Sequence, residues 1–382
     1  SKPLFWGQHH LSFSFHPPCE GPSAMRLVGL WWLLLWIQLC SSRRCSFCLL
    51  ELKGGIPTVT CKGCDRRVYS STECQRKDWE PGGIGQGHKL WCALECGEED
   101  IDFEVKHISP EKGRGVVALR DLPARFKILV DGELESGHAA MHPAMLNLEP
   151  SGGSFQEKID LNSFSKAGGE SVVCPRICRV NHACDPNAAL IEVDRTWILF
   201  AERRIAKGEE ITIAYRSTDD LSSPVPIEES REVLQIKWGI VCPQDCMCRD
   251  KFRTVVIERA RQLNIQVEAS LMSLSSAVAA PELGETVQGV LSDAEELLQL
   301  ADKYTLSLIT RMNVLRDAIA VAVMRKATLA KAVEFARQRF EIAISIGGPE
   351  WVEAETSRAC YESPSEHKNY LMVDKLIEKA TA

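Results

Sequence analysis

The sequence predicts an α+β protein, with a small zinc-stabilised module first, a β-rich middle of short strands next, and an α-helical C-terminal region last. Three observations carry that reading. Seven cysteines crowd between Cys45 and Cys96, mostly in close pairs. Residues 103–216 alternate brief apolar runs with Gly, Pro and Asp. From Phe252 onward the apolar residues recur at helical spacing.

The 382 residues leave room for two or three domains at about 150 residues each. A hydrophobic fraction of 45% permits a sizeable core. The formal net charge of -7 argues against nonspecific nucleic-acid binding, which rests on neutralising phosphates, and suits a basic protein substrate. Met25–Gln38, MRLVGLWWLLLWIQ, has the pattern of a signal-peptide core and is too short for a comfortable membrane span. Residues precede Met25 and the chain opens at Ser1, so a fragment or a mis-assigned start is expected. Residues 1–42, with the apolar run 25–40, are set apart from the fold.

Residues 43–96 are rich in Cys and turn formers and poor in apolar periodicity, so a fold there needs metal. Local C-x2-C pairs in a large chain favour metal over disulfides and a reducing compartment. Cys45-x2-Cys48 and Cys61-x2-Cys64 each place two thiolates on a turn, at adjacent corners of a tetrahedron. Cys74 follows, then His88-x3-Cys92, with His and Cys one helical turn apart. A zinc ion takes four ligands, so these seven residues are one short of two sites. Arg66, Arg67, Arg76 and Lys77 interleave with Glu73, Asp78 and Glu80, which reads as a mixed solvated face rather than a DNA-binding one.

Within 103–218 the apolar runs Gly115–Leu119, Ile128–Val130, Ala189–Val193, Trp197–Ala201 and Glu210–Ala214 are the expected strands. Ser136–Gly169, with Pro143, Pro150 and several Gly and Ser breaks, reads as a loop excursion. Residues 230–250 form a cysteine-rich tail, and 252–382 a helical domain. Thr328–Ser345 puts Ala332, Phe335, Ala336, Phe340 and Ala343 on one face, and Gly347, Gly348 and Pro349 stop it. Val255–Leu274, Asp293–Tyr304 and Leu306–Val323 extend this to a bundle or hairpin stack packed as core.

Four separated segments carry polar chemistry. Lys112-Gly113-Arg114-Gly115 lets backbone approach a ligand, because no side chain intervenes at the glycines. Arg179–Asn187 places Asn181 and His182 inside an apolar run, where they are costly to bury without partners. Arg204–Tyr215 is a hairpin turn running into a strand that ends on a tyrosine. Trp238–Cys248 brings Cys242, Cys246 and Cys248, three thiols that need a fourth ligand, and Cys184 is available. Cys174 and Cys178 read as buried thiols, while Cys19, Cys40 and Cys360 have no visible partners.

The runs YSSTECQRKDW and HKLWC resemble the MYND zinc finger, a cross-braced two-zinc module. The resemblance implies one complete site from Cys61, Cys64, His88 and Cys92. It implies a second from Cys45, Cys48 and Cys74, whose remaining ligand falls at Ser70, where the family has Cys. A hydroxyl is a poor substitute for a thiolate toward zinc; Cys40, Cys96 or a water could fill the gap. PGGIGQ is inserted between Cys74 and His88. The family implies a protein-interaction role, with proline-containing peptides as partners.

The four polar segments, in their order, resemble a SET domain with its post-SET tail over Phe103–Asp250. The chain reads NHACDPN and GEEITIAY where the family has NHSCxPN and GEEITxxY. Together the parts resemble the SET–MYND group, here with MYND preceding an uninterrupted SET domain. The implied activity is methyl transfer from S-adenosylmethionine to a protein lysine, histone or non-histone. Such a displacement gains roughly 7–11 kcal/mol from positioning, and an apolar channel helps the lysine arrive neutral.

By similarity, Gly113, Arg114 and Gly115 run along the cofactor with Lys112 near its carboxylate. Asn181 bonds its methionine end and His182 contacts its adenine. Tyr215 and Phe164 line the lysine channel as its catalytic residues. Trp238 and Ile240 lie beside the cofactor, Ile240 standing where the family usually has an aromatic ring. Cys184, Cys242, Cys246 and Cys248 hold a structural zinc, with the tail spaced x3 then x1 where x1 then x2 is common. Neither nucleic acid nor membrane is an expected partner, and nucleus and/or cytoplasm is the expected location. The competing reading is a degenerate SET–MYND scaffold without cofactor.

Overall fold

Strand Thr196–Ala201 shows how the sequence builds the centre of the molecule. Its run TWILFA is apolar on both faces, and every residue is buried. Alternate side chains of a strand point to opposite faces. Trp197, Leu199 and Ala201 therefore enter a core of strand residues, while Ile198 and Phe200 enter a second core shared with the helices. A sheet covered on both sides results, which is why its strands read as continuous apolar runs.

The computed structural model describes residues 44–52, 57–82, 85–92, 94, 96–139, 141–166, 169–193, 195–216, 221, 227–276 and 283–381. The apolar run 25–40 lies outside them. Residues 43–382 form a single compact unit. Its strands are β1 (Val59–Thr60), β2 (Val68–Tyr69), β3 (Pro81–Gly82), β4 (Gly85–Gln86), β5 (Phe103–Ser109), β6 (Gly113–Ala118) and β7 (Lys127–Gly132). They continue as β8 (Leu134–Glu135), β9 (Ser163–Ser165), β10 (Ser171–Val173), β11 (Asn181–His182), β12 (Ala188–Val193), β13 (Thr196–Ala201) and β14 (Glu210–Ile213). Three small sheets make the β-rich part, in orders β8-β10-β9, β11-β14-β6-β5 and β12-β13-β7. The expected α+β class, with short strands in the middle, is what the molecule shows.

The helices are α1 (Thr72–Trp79), α2 (His88–Trp91), α3 (Ser136–Ala139), α4 (Phe155–Asn162), α5 (Ile227–Trp238), α6 (Lys251–Ser276), α7 (Leu283–Lys303), α8 (Leu308–Ala322), α9 (Leu329–Ile346), α10 (Val352–Glu362) and α11 (Met372–Thr381). From α6 to α10 each helix packs on the next. On α9 the face predicted from spacing is buried at Ala332, Phe335, Ala336 and Ala343, and Arg339 is buried with it. None of the described helices is long and apolar enough to cross a membrane.

Two expectations are corrected. Ser136–Gly169 is not a plain loop, because it holds α3, α4 and strand β9. The helix α4 opens on Ser154 with a full capping box to Glu157, which satisfies orphan N–H groups in both directions. The charged segment around α1 is not simply a solvated face either. Arg76 and Glu73 are exposed, but Arg67 and Asp78 are buried. Arg67 donates to both carboxylate oxygens of Asp78 at 2.8 and 2.6 Å and to the Val130 carbonyl at 3.1 Å. That last bond ties the cysteine-rich segment to β7.

Candidate functional site

The polar site grows from the junction of β6, β14 and β11. β14 pairs antiparallel with β6 and parallel with β11, placing Thr212 opposite Asn181 and Glu210 opposite Val117. Glu210 precedes Thr212 by two residues, so its side chain shares the face of Asn181. The Asn181 amide donates to Glu210 Oε1 at 2.9 Å and to the Arg114 carbonyl at 3.1 Å. Lys112 Nζ donates to Glu210 Oε2 at 2.6 Å. Gly113 begins β6 at φ +66, a conformation that favours glycine. A Cβ on Gly115 would lie 2.6 Å from the Asn181 amide nitrogen and 2.7 Å from Glu210 Oε1, so only glycine lets these side chains close.

Asn187 fixes the loop that follows. It donates to Glu209 Oε1 and the Glu210 carbonyl and accepts from the Thr212 N–H, all between 2.8 and 2.9 Å. A buried amide with both ends satisfied holds its segment in one register. Sequence reasoning missed Glu210, although it stands in the quoted GEEITIAY run.

The second wall is aromatic. The Tyr215 N–H donates to His182 Nδ1 at 3.1 Å, and the Tyr215 hydroxyl donates to the Val180 carbonyl at 2.8 Å. Burial pushes the His182 imidazole down to about 4 and the Tyr215 phenol above its ordinary range. The Trp238 ring lies 5.2 Å from that of Tyr215, and its indole N–H donates to the Leu161 carbonyl at 3.2 Å. Gly239, at φ +68, ends α5 and turns Ile240 back so that its N–H meets the Leu234 carbonyl at 3.2 Å.

Between these walls lies a cleft of about 690 Å³. Lys112, Gly113, Arg114, Asn181, His182, Tyr215, Trp238 and Ile240 all line it. Gly115 and Phe164 do not. Gly115 serves the contact of Asn181 with Glu210, and Phe164 packs on Trp197 with ring centroids 5.6 Å apart. Cys174 is buried as expected, whereas Cys178 is only partly covered and reaches the cleft.

The cysteines come together in the sets that the MYND and SET resemblances implied. Cys61, Cys64, His88 and Cys92 form one cluster, Cys184, Cys242, Cys246 and Cys248 another, and Cys45, Cys48 and Cys74 a third. In each, the potential ligand atoms lie within 4.8 Å of one another. Zinc–sulfur bonds of about 2.3 Å in a tetrahedron give sulfur–sulfur edges of about 3.8 Å. Cys61 to Cys92 and Cys184 to Cys242 are each 3.6 Å, and Cys246 to Cys248 is 3.3 Å. Burial lowers the His88 imidazole to about 2, leaving it a neutral donor of the kind zinc takes. These donor sets fit zinc.

Residues 113–216 match the SET-domain family. This part of the chain is a SET domain. The chain is 25% identical over 239 residues to histone-lysine N-methyltransferase SMYD3 of Homo sapiens, covering 53% of this chain and 50% of that protein. It is 25% identical over 249 residues to N-lysine methyltransferase SMYD2 of Bos taurus, covering 58% and 54%. A third relative, SET domain and MYND-type zinc finger protein 6 of Schizosaccharomyces pombe, is 24% identical over 232 residues, covering 53% and 43%. The chain thus spans about half the length of the curated relatives it matches. Among solved structures, the SET domain of LSMT bound to lysine and AdoHcy aligns at 12% identity and a TM-score of 0.28, over 75% of this chain and 91% of that one. The chain is homologous to SET–MYND methyltransferases, and its N-terminal cysteine clusters are consistent with a MYND module. The SET fold implies S-adenosylmethionine as cofactor, and the Cys and His clusters can hold zinc.

Proposed function

We propose that this chain is an S-adenosylmethionine-dependent protein-lysine N-methyltransferase acting on an exposed lysine of a histone or non-histone protein in the nucleus or cytoplasm. The observation that carries the reading is the single cleft lined by Lys112–Arg114, Asn181–His182, Tyr215 and Trp238–Ile240, in a domain homologous to lysine methyltransferases. When bound, the cofactor supplies an electrophilic methyl group on a sulfonium. Its amino-acid end is a zwitterion, and Lys112, which lines the cleft and is held from behind by Glu210, offers a cation to its carboxylate. Burial keeps the Tyr215 phenol protonated, and in that form it orients groups by hydrogen bonding. The substrate lysine gives its ammonium proton to water before transfer, because an ammonium has no lone pair.

Calorimetric titration of the zinc-loaded protein with S-adenosylhomocysteine tests the reading. Saturable micromolar binding, about -8 kcal/mol, supports it. No binding, with folding and zinc verified, favours a scaffold whose partners are proline-containing peptides at the MYND module. One observation speaks for that second reading: Phe164 packs on Trp197 instead of lining the cleft. Two variants separate the roles. Glu210→Gln is expected to weaken S-adenosylhomocysteine binding by roughly tenfold, because Lys112 and Asn181 lose the carboxylate that positions them. Tyr215→Phe is expected to lower methyl transfer by about a hundredfold, the cost of a reacting group misplaced by about an ångström, while leaving zinc content and fold intact. A wild-type rate in tritium-transfer assays on histones and cell extract would remove Tyr215 from the reaction.

A further inference from the structure

The third cysteine cluster has three thiols, Cys45, Cys48 and Cys74, and no fourth cysteine or histidine among the described residues, outside which Cys40 lies. Ser70 stands beside it. Its Oγ is 3.6 Å from Cys48 Sγ and 3.3 Å from Cys74 Sγ. A zinc–oxygen bond of about 2.0 Å and a zinc–sulfur bond of about 2.3 Å subtend a tetrahedral edge of about 3.5 Å. The hydroxyl therefore lies close to that edge length from two of the three thiols, Cys48 and Cys74. Cys96 does not reach this corner, since it is buried in the core shared with the helices.

A neutral hydroxyl is a weaker zinc donor than a thiolate or an imidazole. The two four-ligand clusters are closed by Cys and His alone, whereas among the described residues this one has only Ser70 at its fourth corner. It should bind the metal and also release it first.

The turn that carries Cys45 and Cys48 also supports the cleft. Leu49 N–H bonds the Cys45 carbonyl at 2.9 Å and closes it. The Phe47 ring lies 4.5 Å from that of His142. Leu49 packs in the cluster that holds Met145 and Leu148. The Cys48 carbonyl accepts from the Asn147 amide at 3.1 Å. Asn147 and Leu148 line the cleft, and the Asn147 carbonyl accepts from Arg114 at 3.2 Å. A metal that pins Cys45 and Cys48 thus holds one wall of the cleft from behind.

We propose that Cys45, Cys48, Cys74 and Ser70 form an exchangeable zinc site whose occupancy tightens the cofactor cleft. The site itself stands on the geometry above; the coupling rests on the cofactor reading. By linkage, cofactor would tighten the zinc to the same degree.

The test uses the full chain, loaded with zinc and counted by mass spectrometry before and after brief exposure to EDTA. The expected counts are three zinc ions per chain before and two after. Ser70→Cys is expected to keep three. If that variant does not fold, cobalt loading of the wild type replaces it, and the absorption of one thiolate-rich site should bleach ahead of the others on adding EDTA. S-adenosylhomocysteine titrations of the three-zinc and two-zinc forms should differ by about fivefold or more in dissociation constant. A loaded count of two, or a third zinc that resists EDTA as well as the others, overturns the site. Equal affinities in the two forms overturn the coupling. Absence of cofactor binding in both forms overturns the cofactor reading and the coupling with it, and the zinc counts, which need no cofactor, tell that failure from failure of the site.

Discussion

Asp78→Ala is expected to lower the stability of the zinc-loaded protein by roughly 3–5 kcal/mol, the cost of stripping one partner from a buried ion pair. Asp78 is fully covered and accepts three hydrogen bonds, two from Arg67 and one from the Tyr69 hydroxyl at 2.6 Å. Burial opposes the charge on Arg67, but Asp78 and Glu98 more than offset it and hold the guanidinium charged. Without Asp78 that cation keeps, among the described residues, Glu98 at 3.6 Å, the Val130 carbonyl, and the face of Trp91, 4.2 Å from the ring centroid. It cannot shed its proton to escape. The double variant Arg67→Met/Asp78→Leu removes both charges and should recover most of the loss. Glu73→Ala, which breaks the exposed pair with Arg76, should leave the unfolding midpoint where it is. Urea unfolding with zinc in excess measures all three. A loss below about 1 kcal/mol for Asp78→Ala would mean that water reaches Arg67 and that the bond to β7 does not anchor the module.

The depth of that pair is what the sequence conceals. Arg67 and Asp78 stand among Arg66, Glu73, Arg76 and Lys77, and charge alone does not say which of them faces inward. The strands were legible for the opposite reason. A run such as TWILFA has no polar face to offer water, so burial on both sides was its only outlet. On α9, a 3.6-residue period over five turns placed Ala332, Phe335, Ala336 and Ala343 correctly. The helix α4 escaped notice because it spans eight residues behind Pro150, Gly152 and Gly153, although its Ser154-x2-Glu157 cap was in plain view. The cysteine clusters were readable, since donor chemistry and spacing survive translation into three dimensions better than packing does. Glu210 and Phe164 show the limit. Which acidic residue of Glu209 and Glu210 meets Asn181 depends on strand register, and where Phe164 points depends on Trp197, a partner far away in the chain.

Cys242→Ser is expected to remove a zinc ion and to weaken S-adenosylhomocysteine binding by at least tenfold, about 1.4 kcal/mol, with little effect on the rest of the fold. Structural zinc binding in small modules is worth about 10–16 kcal/mol, so the question is which part of the molecule depends on it. Cys184 belongs to the loop after β11, and Cys242, Cys246 and Cys248 belong to the tail, so this cluster joins the two walls of the cleft. Behind it lies only a small apolar group that includes Ile227, Leu234 and Ile257. The strand core, from Phe103 to Ile213, is built from other residues and does not need the metal. Losing the ion should therefore free Trp238 and Ile240 from the cleft while the sheets persist. Brief trypsin treatment should then cut near Arg249 and Lys251 in the variant before it cuts the wild type. Unchanged cofactor affinity after the zinc is gone would show that α5 and the Trp238 bond to Leu161 hold the tail unaided, and that the metal fixes the chain beyond the cleft instead.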